Sequence, residues 1–346
     1  MTPANRRLPK ILFAAGAPDG TSRAEATRQW AAKRLPGATG LSTALLPWLY
    51  ERGHPFAVVM FGSEGRMTHD RARGVLDGSG GRVLVNLICE PELSRLALRQ
   101  VGRFELETQI PMVNAPSAVA ATTRPLIARR LAHQAGVNAP HCTLYRAGGR
   151  TLAEHIEANG HRYPVLLRPP GKHGSVGLVR ADDPEAVARD AAQLPCCTVT
   201  DFVDFRSADG LWRKFRMVYA GDRLFRRHVL IDRGWNLTRE ARGFMREHAH
   251  LIAEEQEWIR RPVTLESGSV EARVMHQFRA LQLDFGVIDC ALPANGDLVV
   301  FEINACVQLT TRIDAQAAGY PRYFEENNEE ILHTLLRDIC MRAAAG

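Results

Sequence analysis

The stretch Asp289-Cys290-Ala291-Leu292-Pro293-Ala294-Asn295-Gly296-Asp297-Leu298-Val299-Val300-Phe301-Glu302-Ile303-Asn304 constrains this chain more than any other. Two short apolar runs flank an Asn-Gly pair, the strongest short-range signal for a β-hairpin. Side chains i and i+2 of a strand share a face, so Glu302 and Asn304 can serve one target. Pairing across the hairpin brings Asp289 towards them. Two carboxylates and an amide oxygen at the end of a buried hairpin are hard oxygen donors, of the kind Mg²⁺ takes when it also holds substrate phosphates. A polar strand end facing solvent is the competing reading of the same residues.

With 346 residues the chain can bury a sizeable core, and two or three domains are expected. Its 45% hydrophobic and 24% charged content suits a soluble globular enzyme. No apolar run reaches membrane-spanning length, and the N-terminal residues lack the apolar core of a signal peptide. Seven cysteines, an odd number without Cys-x-x-Cys, argue against a disulfide framework or a zinc knuckle. A cytoplasmic protein with reduced thiols is expected. The net charge of +6 comes from 40 arginines and 4 lysines scattered along the chain, without the aromatic-interleaved basic stripe of a nucleic-acid binder. Neither nucleic acid nor membrane is expected as a partner.

Strand-like runs at 9–15, 55–62, 82–88 and 111–114 alternate with helix-like stretches at 22–35 and 91–103. The runs are continuously apolar, as in parallel sheets covered on both faces. They predict an open α/β domain over 1–115, and without Gly-x-Gly-x-x-Gly it is not read as dinucleotide-binding. One helix is expected over 117–135, closed by Gly136. Strands at 163–168 and 178–180 flank a glycine-rich loop, and another runs over 198–204. A long hairpin at 212–219 and 223–231 turns at Ala220-Gly221-Asp222, 239–280 is helical, and 321–345 is an amphipathic helix packing on the back of its domain. The predicted units are a central small domain over 116–204 and a C-terminal one over 205–346.

The loop Arg168-Pro169-Pro170-Gly171-Lys172-His173-Gly174-Ser175-Val176-Gly177 has three glycines, whose backbone N–H groups can approach an anion closely. It joins two strands, so it is no Walker P-loop. A lid over nucleotide phosphates fits it, and so does a plain mobile turn. Thr200-Asp201-Phe202-Val203-Asp204 offers backbone groups beside apolar walls, with an acid close by, as a purine nucleoside requires. Lys214 and Arg216 alternate on one strand face; Arg226 and His228 share a face of the next strand, with Arg227 on the other. Such a face is either a solvated sheet surface or a wall for phosphates and an anionic substrate.

The order of these pieces resembles the ATP-grasp superfamily, from Asn114 to Thr311. The resemblance is carried by Asn114, by Thr122-Thr123-Arg124-Pro125 with its helix, by Pro164 to Pro169, by the glycine loop and by Thr200 to Val203. It closes on the Arg216 strand, Asp289 and Glu302-Ile303-Asn304. The thirteen-residue step from Asp289 to Glu302 and the Glu-x-Asn ending are its most specific part. The region 163–216 also resembles uncharacterised bacterial ATP-grasp domains found with tetratricopeptide repeats, which this chain lacks.

The resemblance implies an α/β architecture of N-terminal open domain, small central lid domain and C-terminal mixed-sheet domain. It implies ATP bound by Arg124, Arg168, Lys172, His173, Gly174, Ser175, Gly177, Asp201, Phe202, Val203, Asp204, Lys214 and Arg216. Asp289, Glu302 and Asn304 would hold Mg²⁺, with Mn²⁺ as an alternative. The implied reaction is ADP-forming: a carboxylate becomes an acyl phosphate and passes to an amine or similar nucleophile. A small-molecule kinase and a non-catalytic nucleotide-binding protein are the alternatives. Ligases of the D-alanine kind carry an arginine two residues before the aspartate, where this chain has Val287. A replacement cation is sought in Arg227, His228 or Arg312, unless the substrate differs. Arg226, Arg227, His228, Arg312 and Gln308 to Thr311 could line an anionic acceptor site, so an acidic amino acid or peptide is the expected substrate. The oligomeric state stays open, a homodimer included.

Overall fold

The computed structural model describes residues 10–31, 41–62, 70, 73–74, 76–77, 81–172, 174–191, 193–293, 296–305, 307–309 and 322–345. Three sheets organise them. The first has four parallel strands in the order β2 (Phe56–Phe61), β1 (Lys10–Gly16), β3 (Gly81–Asn86), β4 (Met112–Val113). Its central strand is apolar throughout because its alternate residues enter two different cores. Leu12 and Ala14 meet α3 (Arg95–Thr108) through Leu98, Val101 and Phe104. Ile11 and Phe13 meet α2 (Leu41–Glu51) through Leu45, Trp48 and Leu49. A shorter helix, α1 (Arg23–Ala31), follows β1.

One helix was expected over 117–135; two form, α4 (Pro116–Ala120) and α5 (Arg124–Leu131). Pro125 has no N–H to give to the preceding turn, so a continuous helix fails there and a new one starts with Pro125 in its first turn. The restart puts Arg124 at a helix start, where it reaches across to the third sheet.

The second sheet is antiparallel, β6 (Cys142–Arg146), β9 (Cys196–Asp201), β7 (Val165–Arg168), β8 (Val179–Ala181). Beneath it, α6 (Leu152–Ala158) and α7 (Pro184–Asp190) bury Leu152, Ile156 and Val187 against Val165, Leu167 and Val199. Thr151 and Glu154 form a capping box that fixes the start of α6, and Asp183 caps α7.

The third sheet runs β11 (Arg223–Asp232), β10 (Trp212–Ala220), β12 (Phe285–Ala291), β13 (Leu298–Asn304), β5 (Val137–Asn138), antiparallel except for the last pair. The expected hairpins are both present. Gly221 and Asp222 take φ of 54° and 59°, the left-handed pair that closes a tight hairpin turn. The Asn295 half of the other turn lies outside the described residues. On one face, Met217, Ile288, Cys290 and Ile303 pack with α10 (Val270–Leu281), where Phe278 stacks on Tyr219 at 5.0 Å. On the other face, Val218, Phe285 and Val287 pack with α11 (Arg322–Ala345), which also meets Val83 and Val85 of the first sheet. The expected helical region 239–280 is three helices: α8 (Ala241–Glu247), α9 (Ala249–Arg260) and α10. Among the described residues no helix is long and apolar enough to cross a membrane.

Asn114 ties the first sheet to the third. It is fully buried with φ of 59°, a conformation asparagine tolerates better than most residues. Its Oδ1 accepts from the N–H groups of Asp284 (2.8 Å) and Phe285 (3.1 Å), its Nδ2 donates to the Phe285 carbonyl (2.9 Å), and its own N–H donates to Asp284 Oδ2 (2.6 Å). Asn114→Ala orphans three buried backbone groups at once. A loss of about 3 kcal/mol is expected, read as a lower urea midpoint with an unchanged slope.

Candidate active site

The third sheet brings four polar side chains into one row. Antiparallel pairing sets His228 opposite Arg216, Arg216 opposite Asp289, and Asp289 opposite Glu302. Directly paired residues point to the same face, so the row crosses β11, β10, β12 and β13 in that order. Arg216 grips Asp289 with two bonds, Nε to Oδ1 at 2.6 Å and Nη2 to Oδ2 at 2.7 Å, and stands 4.0 Å from Glu302. Arg124 holds the other oxygen of Glu302. Asn304, two residues on, lines the same cleft.

Further along the strands the same face becomes apolar. Val287 pairs with Val218 and Asn304 and is 1% exposed against the cluster that includes α11. Two residues therefore separate core from ionic site, and no cation stands at Val287.

The row forms one wall of a cleft of about 770 Å³ between the second and third sheets. The volume suits a nucleotide-sized ligand. Arg168, at the end of β7, Gly174 and Ser175 border it. Gly171, Gly174, Ser175 and Gly177 all have positive φ, so the loop turns its backbone in a way few sequences permit. A Cβ on Gly171 would sit 2.2 Å from Leu93, which fixes glycine where the loop leans on the first domain. Ser175 Oγ donates to Asn236 Oδ1 at 2.6 Å, tying the loop to the segment after β11.

Asp201, Phe202 and Val203 border the cleft on the hinge side. Phe202 packs edge-on against Trp235 at 5.6 Å, and Arg180 lies 4.3 Å over its ring. The Asp201 carboxylate turns away to His161 Nδ1 at 2.6 Å. The Asp201 and Phe202 N–H groups are spent on His141 and Pro164 carbonyls, whereas nothing among the described residues accepts from the Val203 N–H.

Four expected positions differ. Asp204 stays out of the cleft because Arg206 captures its carboxylate. Lys172 and Gly177 belong to the loop without lining the cleft; the Lys172 carbonyl accepts from Arg168. Arg226 and His228 do not share a face. A β-bulge at Arg227 inserts one extra residue between the pairs Arg216–His228 and Met217–Arg226, and every side chain beyond it changes sides. Arg226 is buried with Glu271, while Arg227 and His228 line the cleft. His173 and Arg312 lie outside the described residues. Trp235, Asn236, Arg242 and Phe324 line the cleft and were not anticipated. The aromatic and amide after strand 223–231 were the available signal for the first two; nothing local marks Arg242 or Phe324.

Seven cationic side chains and four carboxylates line the described cleft, an excess suited to a polyanion. Burial pulls down the pKa of Lys214, with Asp289 partly offsetting it, and its ammonium donates to the Leu237 carbonyl. Burial and then Arg124 pull down that of Arg168. Burial pushes the Cys290 thiol far up, as befits a core residue rather than a nucleophile. Cys142, also beside the cleft, is pushed up to about 11 by burial.

No protein-family model and no curated protein matches the chain. Solved structures do. Over 98% of this chain and 100% of the other, it is similar to the D-alanine–D-alanine ligase of Bacillus anthracis complexed with ATP, at 13% identity and a TM-score of 0.56. It is also similar to the D-alanyl-alanine synthetase A of Vibrio cholerae, at 13% identity, the same coverage and a TM-score of 0.54. The fold is thus the mixed α/β fold of the D-alanine–D-alanine ligases, which belong to the ATP-grasp superfamily.

Burial, then Arg216, Arg242, Arg227 and Lys214, drive the pKa of His228 well below 6.5. The unfolded chain therefore binds a proton that the folded one refuses as pH falls from 6.5 towards the folded value, and stability is lost over that window by up to about 1.4 kcal/mol per pH unit. Denaturant midpoints measured from pH 7 to 5 should decline more steeply for the wild type than for His228→Gln.

Proposed function

We propose that the chain is an ATP- and Mg²⁺-dependent, ADP-forming ligase acting on an amino acid, a peptide or another small metabolite. One observation carries this: the in-register row of Arg216, Asp289 and Glu302, with Arg124 on Glu302, faces a cationic cleft under a glycine loop in the fold of known ligases. The ATP-complexed neighbour supports nucleotide use.

The chain's own groups have clear tasks. Phe202 and Trp235 form the apolar wall for the base, and the Val203 N–H is available to it. Arg124, Arg168 and Arg216 neutralise phosphate oxygens, and the N–H groups around Gly174 and Ser175 cap them. Closure of this loop on Asn236 excludes water, so a transferred phosphoryl group meets the substrate carboxylate instead. The resulting acyl phosphate yields to an amine, and phosphate leaves.

The donor set fits Mg²⁺. Asp289 and Glu302 are adjacent in register, Asn304 adds an amide oxygen, and guanidinium partners already order both carboxylates. Mg²⁺ bound by these three would stabilise the charge that develops on the phosphates. Mn²⁺ has the same ligand preferences. The buried Val287 favours a second reading, a small-molecule kinase, because the cation at this position in D-alanine-type ligases is missing here.

ATP and Mg²⁺ with candidate acids, with and without amines, separate the two. Phosphate release that requires both acid and amine supports the ligase; a phosphorylated alcohol identifies the kinase. Asp289→Asn and Glu302→Gln should each lower kcat by about 10²-fold or more while circular dichroism shows the fold retained. Unaltered turnover in both variants would remove the site from the reaction.

A further inference from the structure

Arg226 and Arg227 are neighbours in sequence that face opposite sides of the sheet. Arg226 pairs with Glu271 and donates to the carbonyls of Arg261 (2.6 Å) and Trp258 (3.3 Å). The bulge turns Arg227 the other way, into the cleft, although the residue is only 4% exposed. Its guanidinium lies 4.9 Å over the ring of Phe324, the third residue of α11. Arg242 lies 5.2 Å from the same ring.

Arg242 is itself fixed. Its Nη2 donates to Glu255 Oε1 at 2.6 Å, and that fully buried carboxylate also accepts from the Val229 N–H (3.0 Å) and the Tyr323 hydroxyl (3.2 Å). Arg227, Phe324 and Arg242 thus form a rigid cationic and aromatic wall. Gln308 borders the same cleft.

Position separates this wall from the phosphate cations. Arg124 sits on Glu302 at the β13 end of the row, whereas Arg227 adjoins His228 at the β11 end. Three strand spacings, about 14 Å, lie between Glu302 and His228. Burial first, and then Arg216, Arg242, Arg227 and Lys214, lower the pKa of His228 at this end. A guanidinium packed against an aromatic ring at the cleft wall offers a carboxylate a charge-assisted hydrogen bond.

We propose that Arg227 binds a second, non-reacting carboxylate of the substrate, so that the site selects an acidic amino acid or a peptide ending in one. Phe324 packs against the guanidinium and Arg242 stands beside it as a positioning residue. The assignment rests on the ligase reading for the word substrate, but the carboxylate site stands on its own geometry.

Two measurements test it with L-glutamate and L-aspartate against their amides, L-glutamine and L-asparagine. In the first, calorimetry in the presence of Mg²⁺ and a non-hydrolysable ATP analogue reads binding. The acids should bind at least about tenfold more tightly than the amides. Arg227→Gln should abolish the preference, Arg227→Lys should keep part of it, and both should leave the affinity for the ATP analogue unchanged. Equal binding of acid and amide, binding of neither, or a preference that survives Arg227→Gln overturns the proposal. The second reads ADP release with ATP and an amine. An acid that binds through Arg227 without supporting ADP release leaves the carboxylate site standing and removes the ligase. ADP release that treats acid and amide alike does the reverse.

Discussion

The ion pair between Arg216 and Asp289 is the constraint on which the site depends. It joins the two central polar strands of the third sheet at the point where their shared face changes from core to cleft. A pair this poorly exposed, 21% and 7%, gains little net stability, since desolvating both charges offsets most of their attraction. Its value is positional. It holds Asp289 in one rotamer, and strand register carries that order to Glu302 on one side and His228 on the other. Register in turn is pinned by the apolar residues of the opposite face: a one-residue slip would turn Arg216 and Asp289 away from the cleft and into the core under α10. Packing of that helix and placement of the ionic row are therefore one event.

How much of this could be read from the chain alone follows from how local each cause is. Asp289, Glu302 and Asn304 were legible because period-two alternation and a hairpin turn are local facts, and the structure brings all three to one cleft. The parallel first sheet was legible for the same reason, its strands being apolar on both faces. Helix α2 was not anticipated, because Pro47 in its middle argues against a helix and only burial of Leu45, Trp48 and Leu49 against β1 overrides that. Asp204 was misassigned because the capture of an acid by an arginine two residues away depends on how a loop bends after its strand ends.

The bulge at Arg227 shows the limit most clearly. Alternation along Arg226-Arg227-His228 places the first and third together, and a single inserted residue reverses the assignment. Nothing in those three side chains signals it. The partners that stabilise the bulged arrangement, Glu271, Glu255 and Phe324, come from three different helices far along the chain. Glu271 takes Arg226, Phe324 packs on Arg227, and Glu255 accepts the Val229 N–H just beyond the bulge.

The composition of the cation set has its own consequence. The resemblance to the ATP-grasp superfamily sets Arg124 and Arg168 where lysines are usual, and the difference it implies is one of geometry rather than charge. An ammonium that moves to a phosphate releases its carboxylate. A guanidinium has five N–H donors in a fixed plane and can keep one partner while taking another. Arg124 uses Nη2 on Glu302, with Glu90 and Glu92 close enough to add to the negative field around it. Arg216 uses Nε and Nη2 on Asp289 and lines the cleft. On the proposed function, the row admits a polyphosphate while keeping the contacts that order its carboxylates.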